Sequence, residues 1–329
     1  MRKSATILLL FCSSVLSLLL GEAVVRVSAR LTHHVPLIVS DADAGWALQP
    51  DLHNELRAGD GGRYMISTDE EGHRLTRPPG THPDGSKPAL ILVGDSFVQG
   101  QSVNDAETFA WILAQELPLR VLNLGVLGYG TDQELLGLSA YLKSHPMLDV
   151  KDIVLVVFEN DFIDVQTSAH PALGRSKPLL RVMDGRLEPV HYRRAFSDRL
   201  MDVSYLYWLL DSKRTLFFKS SEPDVGGGTE VILACVAEMR ELAAKRGARF
   251  HVVAHRHLRI GKPFPDSLWA DFVQRAGATD ITPRLRAMRG ADPVGYDGGH
   301  WSAAGHRLVA EIVKEMLENE ASAAGHPHE

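Results

Sequence analysis

The clearest pattern along the chain is a set of short apolar segments separated by stretches with the spacing of amphipathic helices. The apolar segments predict buried parallel strands at 89–93, 121–123, 152–158 and 249–253. Apolar residues at helical spacing predict helices at 108–117, 132–143 (with Thr131 as N-cap), 229–246, 267–276 and from 302 to about 320. Strands that alternate with helices in this way predict an α/β domain with helices on both faces of a parallel sheet.

Two regions interrupt this alternation. Residues 31–88 are rich in Gly, Pro, Asp and His, so we interpret them as an irregular extension that ends in a linker. Residues 162–228 form an insertion that is too long for a plain loop and is expected to contain helices of its own. It is either a lid over a cleft or a structural element packed on the sheet edge. The main domain is therefore predicted at 89–320, with a disordered tail at 321–329.

Residues 1–30 contain an uncharged segment, Ser4 to Gly21, that follows Arg2 and Lys3. As a helix this segment spans about 27 Å, slightly less than the hydrocarbon core of a bilayer. It predicts either an uncleaved signal anchor or a cleaved signal peptide, since Gly21-Glu22-Ala23 has the small-x-small pattern of a cleavage site. We favour the anchor, because apolar residues continue beyond the cleavage pattern, and we expect the main domain outside the cytoplasm.

Composition and charge exclude several classes of protein. The chain is 45% hydrophobic and 23% charged, as globular proteins are. A net charge of -6 without a Lys/Arg stripe argues against a nucleic-acid partner. Cys12 and Cys235 are too few for a disulfide framework or a cysteine zinc site. The histidines lack an H-E-x-x-H context, so a metal hydrolase is the least favoured class and no cofactor is predicted.

Polar residues follow the predicted strands at the edge where a parallel sheet binds ligands. Ser96, in Gly94-Asp95-Ser96-Phe97, follows the first strand and is a candidate nucleophile, although the G-x-S-x-G elbow is absent. Gly128 follows the second strand and Asn160 the third. The Ser96 N–H, the Gly128 N–H and the Asn160 amide are donors of the kind that an oxyanion hole requires. Taken singly, each residue fits an ordinary turn or cap.

A histidine and a carboxylate precede the last predicted helix, in Asp297-Gly298-Gly299-His300. His300 is a candidate general base for Ser96. Asp297, three residues earlier, is a candidate acceptor for the other ring N–H, which would fix the imidazole tautomer. Asp95 and Glu159 are two further carboxylates that we expect near the cleft.

Taken together, these motifs resemble the four blocks of the SGNH, or GDSL, hydrolases. The matching segments are GDSF at 94–97, the second glycine of NLGVLG at 128, the asparagine of FEND at 160 and DGGH at 297–300. The resemblance covers about residues 89–318, and the stretches VLNLGVLGYGTDQELL and HWSAAGHRLVAEI look like the membrane-anchored bacterial branch. One departure is Glu159, where the family usually has glycine.

The resemblance implies a flavodoxin-like three-layer sandwich with a central parallel sheet. It also implies a Ser96 nucleophile, a His300–Asp297 base and an oxyanion hole formed by Ser96, Gly128 and Asn160. No cofactor is implied.

The function that the resemblance implies is hydrolysis of an ester through an acyl-enzyme. We expect a single-pass anchor in the bacterial cytoplasmic membrane and a periplasmic domain, or secretion after signal cleavage. The expected partners are the membrane and a small-molecule or glycan ester, such as acyl groups of the cell envelope. An O-acyltransferase and a non-catalytic glycan-binding protein with a retained fold are the alternatives. The acyl chain, the alcohol and the oligomeric state stay open.

Overall fold

The computed structural model describes residues 2–32, 35–57, 62–82, 84–170, 173–190, 192–214, 225–258, 264–295 and 299–324. The described helices are α1 (Arg2–Leu31), α2 (Ser96–Gln99), α3 (Phe109–Glu116), α4 (Thr131–Ser144), α5 (Asp161–Asp164), α6 (Phe196–Val203), α7 (Tyr205–Arg214), α8 (Val225–Lys245), α9 (Asp266–Ala276), α10 (Thr282–Arg286) and α11 (Ala303–Ala324). The described strands are β1 (Ile38–Asp41), β2 (Gly45–Leu48), β3 (His53–Arg57), β4 (Arg63–Ser67), β5 (Ala89–Gly94), β6 (Arg120–Asn123), β7 (Val150–Phe158), β8 (Ala169–His170), β9 (Arg175–Ser176), β10 (Leu179–Met183), β11 (Arg186–Val190), β12 (Arg249–His255) and β13 (Thr279–Asp280).

A five-stranded parallel sheet lies at the centre of the fold, in the order β13-β12-β7-β5-β6. Counted along the chain within this sheet, the order is the 2-1-3-4-5 arrangement of flavodoxin-like folds. Every residue of β5 is buried, and its side chains alternate between the two faces. Ile91 and Val93 join the core on one face, whereas Leu90 and Leu92 join the core on the other. The predicted fold class is therefore confirmed.

Helices cover both faces of the sheet. Leu138 of α4, Val236 of α8 and Phe272 of α9 belong to one core, and Leu113 of α3 and Val313 of α11 belong to the other. These helices lie where apolar spacing predicted them, with ends shifted by a few residues.

The predicted N-cap of α4 is wrong. Thr131 is the first helical residue, and Gly130 occupies the cap position. The Thr131 hydroxyl instead donates a hydrogen bond to Asp161 Oδ2, 3.3 Å away, so its side chain supports a buried neighbour and not the helix start.

The two interrupting regions contain regular structure. The extension at 31–88 holds the antiparallel hairpins β1–β2 and β3–β4. The insertion at 162–228 holds the hairpins β8–β9 and β10–β11, helices α6 and α7, and the start of α8. Residues 325–329 of the predicted tail lie outside the described residues.

The N-terminal segment forms the long helix α1. The most apolar 18-residue window of its stretch Lys3–Leu31 has a mean hydropathy of 2.2 and is 0% buried within the protein. By length and composition this helix is able to cross a membrane, and it is compatible with a signal anchor or a signal peptide.

Candidate active site

Ser96 lies at the point where the chain leaves the central strand β5. Asp95 caps the short helix α2 by accepting the Phe97 N–H at 2.8 Å, and Ser96 is the first residue of that helix. A Cβ atom at Gly94 would lie 2.3 Å from Val98 Cγ2, so glycine lets the helix start directly above the strand. Ser96 is therefore held at the carboxyl edge of the sheet, next to the point between β5 and β7 where the strand order reverses.

The structure brings Ser96 and His300 together from positions 204 residues apart. The distance between Ser96 Oγ and His300 Nε2 is 2.8 Å, within hydrogen-bonding range. The His300 ring also packs against Phe97, with ring centroids 4.9 Å apart. A hydroxyl bonded to an imidazole in this way is the arrangement that a serine nucleophile and its general base require. Asp297 lies outside the described residues, so its pairing with His300 stays a prediction.

Gly128 and Asn160 line the same cleft as Ser96 and His300. This cleft has a volume of about 430 Å³. Gly128 has a φ of 72°, a conformation that favours glycine. The other residues that line the cleft are Phe97, Gln101, Leu127, Phe158, His170, Leu173, His257 and Gly299. The walls are largely apolar, with imidazole and amide groups near the serine, so they suit an acyl group next to a polar reacting centre.

The side chain of Asn160 is oriented by a carboxylate that sequence reasoning missed. Asn160 Nδ2 donates to Asp164 Oδ2 at 2.9 Å, one turn further along α5. Asp164 is buried, and burial together with the nearby carboxylates Asp95 and Asp132 raises its pKa to about 7. The charge of Lys177 and the hydrogen bond from Asn160 lower the pKa of Asp164. Because an amide has two N–H donors, Asn160 Nδ2 can donate to a second acceptor besides Asp164, and a hydrogen bond from the Asn160 side chain also lowers the pKa of Asp95.

Asp164 belongs to a group of buried carboxyl residues behind the cleft. We call this group the carboxyl cluster: Asp95, Asp132, Glu134, Asp161 and Asp164. One buried cation supports it, since Lys177 Nζ lies 2.7 Å from Asp132 Oδ1 and donates to the Asp164 carbonyl at 2.7 Å.

Burial dominates the ionisation of the carboxyl cluster. The pKa of Asp95 is raised to about 6 by burial, against the lowering effects of the Phe97 N–H, His300 and Asn160. Burial and neighbouring carboxylates raise the pKa of Glu134 and of Asp161 well above the usual range. Burial therefore disfavours the ionised form of both groups.

Two carboxylates that we expected near the cleft do not line it. Asp95 is 1% exposed, and one of its oxygens caps α2. Glu159 is half-buried, and the cleft is lined instead by its neighbours Phe158 and Asn160. Both residues are thus direct neighbours in sequence of residues that line the cleft, and a role for them there stays a prediction.

Arg74, in the N-terminal extension, supports the short helix α2, which begins with Ser96. Its side chain is fully buried and forms an ion pair with Asp105 at 2.9 Å. It also donates to the carbonyls of Gln99 and Gly100, at the end of the helix that begins with Ser96. Sequence reasoning missed this role, because an arginine in a Gly- and Pro-rich stretch is typical of an exposed loop.

Two histidines other than His300 are packing residues. His306 is buried beside Phe109, whose N–H it accepts at Nδ1 over 3.3 Å, and burial lowers its pKa to about 3. His255 is buried between Phe158 and Trp301, and burial lowers its pKa to about 3 as well. Within the described ranges, no group of three or more His, Cys, Asp or Glu residues is arranged to hold a metal ion.

Comparisons with known proteins place this chain near lipolytic and esterase structures. No protein-family model matches the chain, and no curated protein matches it. Among solved structures, a member of the lipolytic protein G-D-S-L family from Veillonella parvula is 13% identical, with a TM-score of 0.36 over 69% of this chain and 96% of its own. A psychrotrophic esterase from Pseudoalteromonas is 9% identical, with a TM-score of 0.39 over 71% of this chain and 98% of its own. A carbohydrate esterase family 2 enzyme from Corynascus is 14% identical, with a TM-score of 0.40 over 80% of this chain and 74% of its own.

Proposed function

We propose that this protein is a serine ester hydrolase of the SGNH type. The single observation that carries the proposal is the 2.8 Å contact between Ser96 Oγ and His300 Nε2, in a cleft that Gly128 and Asn160 also line. The α/β sheet with its ligand edge at Ser96 supports the proposal. The same contact argues against a non-catalytic binding protein, which has no need of a hydroxyl–imidazole pair.

The chemistry follows from the positions of these groups. Ser96 Oγ attacks the ester carbonyl carbon while His300 Nε2 accepts the hydroxyl proton. The carbonyl oxygen becomes negative and is stabilised by the N–H groups of Ser96 and Gly128 and by the Asn160 amide. His300 then gives its proton to the departing alkoxide, which leaves the acid bound to Ser96 as an ester. Water attacks this acyl-enzyme with His300 as base, and the free acid is released.

The substrate is proposed to be an acyl ester of a cell-envelope glycan. This choice rests on the proposed location, in which α1 remains attached as a single-pass anchor and the catalytic domain faces the periplasm. If a sugar hydroxyl replaced water in the second half of the reaction, the same groups would catalyse O-acyl transfer. Incubation with an acyl donor and a glycan acceptor distinguishes the two reactions, since only a transferase forms acylated acceptor.

A fluorophosphonate probe tests the nucleophile directly. We expect the probe to modify Ser96, and we expect Ser96→Ala to abolish labelling and to lower kcat for p-nitrophenyl acetate by at least ~10³-fold. Ser86→Ala is the matched control, because Ser86 is exposed and its hydroxyl bonds only to the neighbouring Asp84. Undiminished turnover in Ser96→Ala, or labelling of another serine, would refute the assignment.

A further inference from the structure

Helix α1 is longer than a bilayer requires, and its C-terminal part contacts the insertion helix α7. The residues from Lys3 to Gly21 span about 28 Å, so a membrane-spanning α1 reaches the edge of the hydrocarbon core at Glu22. Glu22 Oε2 accepts from the Leu206 N–H at 2.9 Å and from Ser204 Oγ at 2.8 Å. Glu22 Oε1 accepts from the Tyr205 N–H at 3.0 Å. The Glu22 carboxylate thus serves as the N-terminal cap of α7, supplied by another helix.

A second residue of α1 completes this contact. Arg26 is paired with Glu22 at 2.7 Å, donates to the Val203 carbonyl at 2.9 Å and lies over the Tyr205 ring at 4.6 Å. A Cβ atom at Gly21 would be 3.5 Å from Leu206 Cδ2, so the two helices pack closely there. Glu22 and Arg26, two charged residues of α1 near the proposed membrane edge, therefore both contact α7.

Helices α6 and α7 expose apolar side chains while carboxylates of the same helices are buried. Phe196 and Val203 of α6 are 74% and 67% exposed, and Leu210 of α7 is 62% exposed. By contrast, Asp198 of α6 and Asp211 of α7 are 1% and 6% exposed. A helix on a water-exposed surface has the opposite distribution, with its apolar face towards the core. This distribution therefore favours an apolar environment outside the protein.

The buried carboxylates fix α6 to the catalytic domain. Arg175, which is 2% exposed, donates to Asp202 Oδ1 at 2.8 Å and to the Asp198 carbonyl at 3.1 Å. The Ser176 hydroxyl donates to Asp198 Oδ2. The polar side of α6 thus binds the domain, α7 binds α1, and the exposed apolar side chains lie next to an apolar transmembrane helix.

We propose that α6 and α7 lie on the lipid surface of the membrane that α1 spans, with Glu22 fixing α7 to α1. Phospholipid is the partner, because the exposed apolar face adjoins α1 where that helix leaves the hydrocarbon core. The proposal rests on the proposed anchoring and does not depend on the chemistry of Ser96.

Lipid contact is tested by quenching in the full-length protein. In a Cys12→Ser background, a fluorescent dye is attached at Leu210→Cys or, as a control, at Met147→Cys, which is 92% exposed in the catalytic domain. Cys235 is buried and is not expected to react. In phosphatidylcholine vesicles containing a brominated lipid, we expect quenching at position 210 to be several-fold greater than at 147. Equal quenching at the two positions would overturn the proposal.

The role of Glu22 is tested by crosslinking. With Gly21→Cys and Leu206→Cys in the same Cys12→Ser background, a short dimaleimide should join the two positions within one chain, as identified by mass spectrometry of the peptides. Adding Glu22→Leu should reduce this product several-fold without lowering the Tm of the catalytic domain. An unchanged yield would refute the capping role. A crosslinked dimer would mean that a second copy of the chain covers this face, and a mature chain without α1 would end the proposal. Esterase turnover is not a readout, so loss of the proposed activity would leave these results interpretable.

Discussion

Replacing Asp164 by leucine removes the carboxylate that accepts a hydrogen bond from Asn160 and keeps a side chain branched at Cγ. Asn160 Nδ2 and Asp164 Oδ2 are 2.9 Å apart in the structure. Without this acceptor, the Asn160 amide loses a bond that orients it, so it should donate less well to the negative charge of the proposed transition state. Asp164 is therefore expected to act as a positioning residue, through Asn160.

The expected loss of kcat in Asp164→Leu follows from the type of hydrogen bond that the substitution removes. A hydrogen bond to a charged group contributes about 1.5–3 kcal/mol, which corresponds to a loss of about 10- to 150-fold in kcat. Removing the donor itself, in Asn160→Ala, should cost about 10²- to 10³-fold. KM should change little in both variants, because the donor acts on charge that is present only in the transition state.

Steady-state kinetics with p-nitrophenyl acetate provide the assay, and a double-mutant cycle isolates the coupling. If Asp164 acts through Asn160, Asp164→Leu should have little further effect in an Asn160→Ala background. An undiminished effect in that background would refute the reasoning.

The pH profile gives a second readout for Asp164, whose pKa of about 7 is raised above its ordinary value of 3.8. As the pH rises through about 7 the group ionises, and a carboxylate accepts a stronger hydrogen bond than the acid does. We therefore expect kcat to rise in this range. Asp164→Asn keeps an acceptor but should lose the part of this rise that depends on Asp164, and a pH profile identical to that of the unsubstituted protein would contradict the assignment.

Two further predictions concern stability. Burial lowers the pKa of His306 from 6.5 to about 3, so the contribution of neutral His306 to the free energy of unfolding is present above pH 6.5 and lost as the pH falls towards 3. Chemical denaturation at pH 6.5 and 4.5 should show that this free energy falls more steeply than in His306→Asn, by about 1.4 kcal/mol per pH unit. Equal slopes in the two proteins would exclude this role. Lys177→Met leaves Asp132 buried without its cation and should lower the free energy of unfolding by about 3–5 kcal/mol, whereas Lys177→Met with Asp132→Leu should recover most of it. A double variant as unstable as the single one would show that the pair does not act as a unit.

The sheet and the position of the serine were predictable because their signals are local. The segments that became β5 and β7 are continuous apolar runs, and such runs are typical of strands buried on both faces. Once the strands are parallel, their carboxyl ends meet at one edge. Ser96 and Asn160 therefore had to lie near each other, and His300 was found by its motif.

The support behind these residues was not predictable, because it depends on contacts between distant segments. Arg74, Asp164 and Lys177 are charged residues, and charged residues are usually exposed unless they are paired. Nothing in the local sequence shows that Lys177 lies 2.7 Å from Asp132, 45 positions away. Glu22 presents the same difficulty: its partners are residues 204–206, and in the sequence alone it marks only a break in an apolar helix.

Negative charge on carboxyls behind the proposed oxyanion hole would oppose the charge that forms during ester attack, and burial reduces that charge. Burial raises the pKa values of Glu134 and Asp161 well above their ordinary values, which disfavours their charged forms. Asp132 is paired with Lys177. The two carboxyls that remain are Asp95 and Asp164, with pKa values of about 6 and 7.

Both of these remaining carboxyls act on groups of the proposed reaction. The charge of Asp95 interacts favourably with His300, which becomes a cation when it accepts the Ser96 proton. The charge of Asp164 acts on the Asn160 amide, which donates to it and which is proposed to bind the substrate oxygen. Negative charge on Asp95 thus stabilises an imidazolium and negative charge on Asp164 polarises a donor, while Lys177 balances the charge of Asp132.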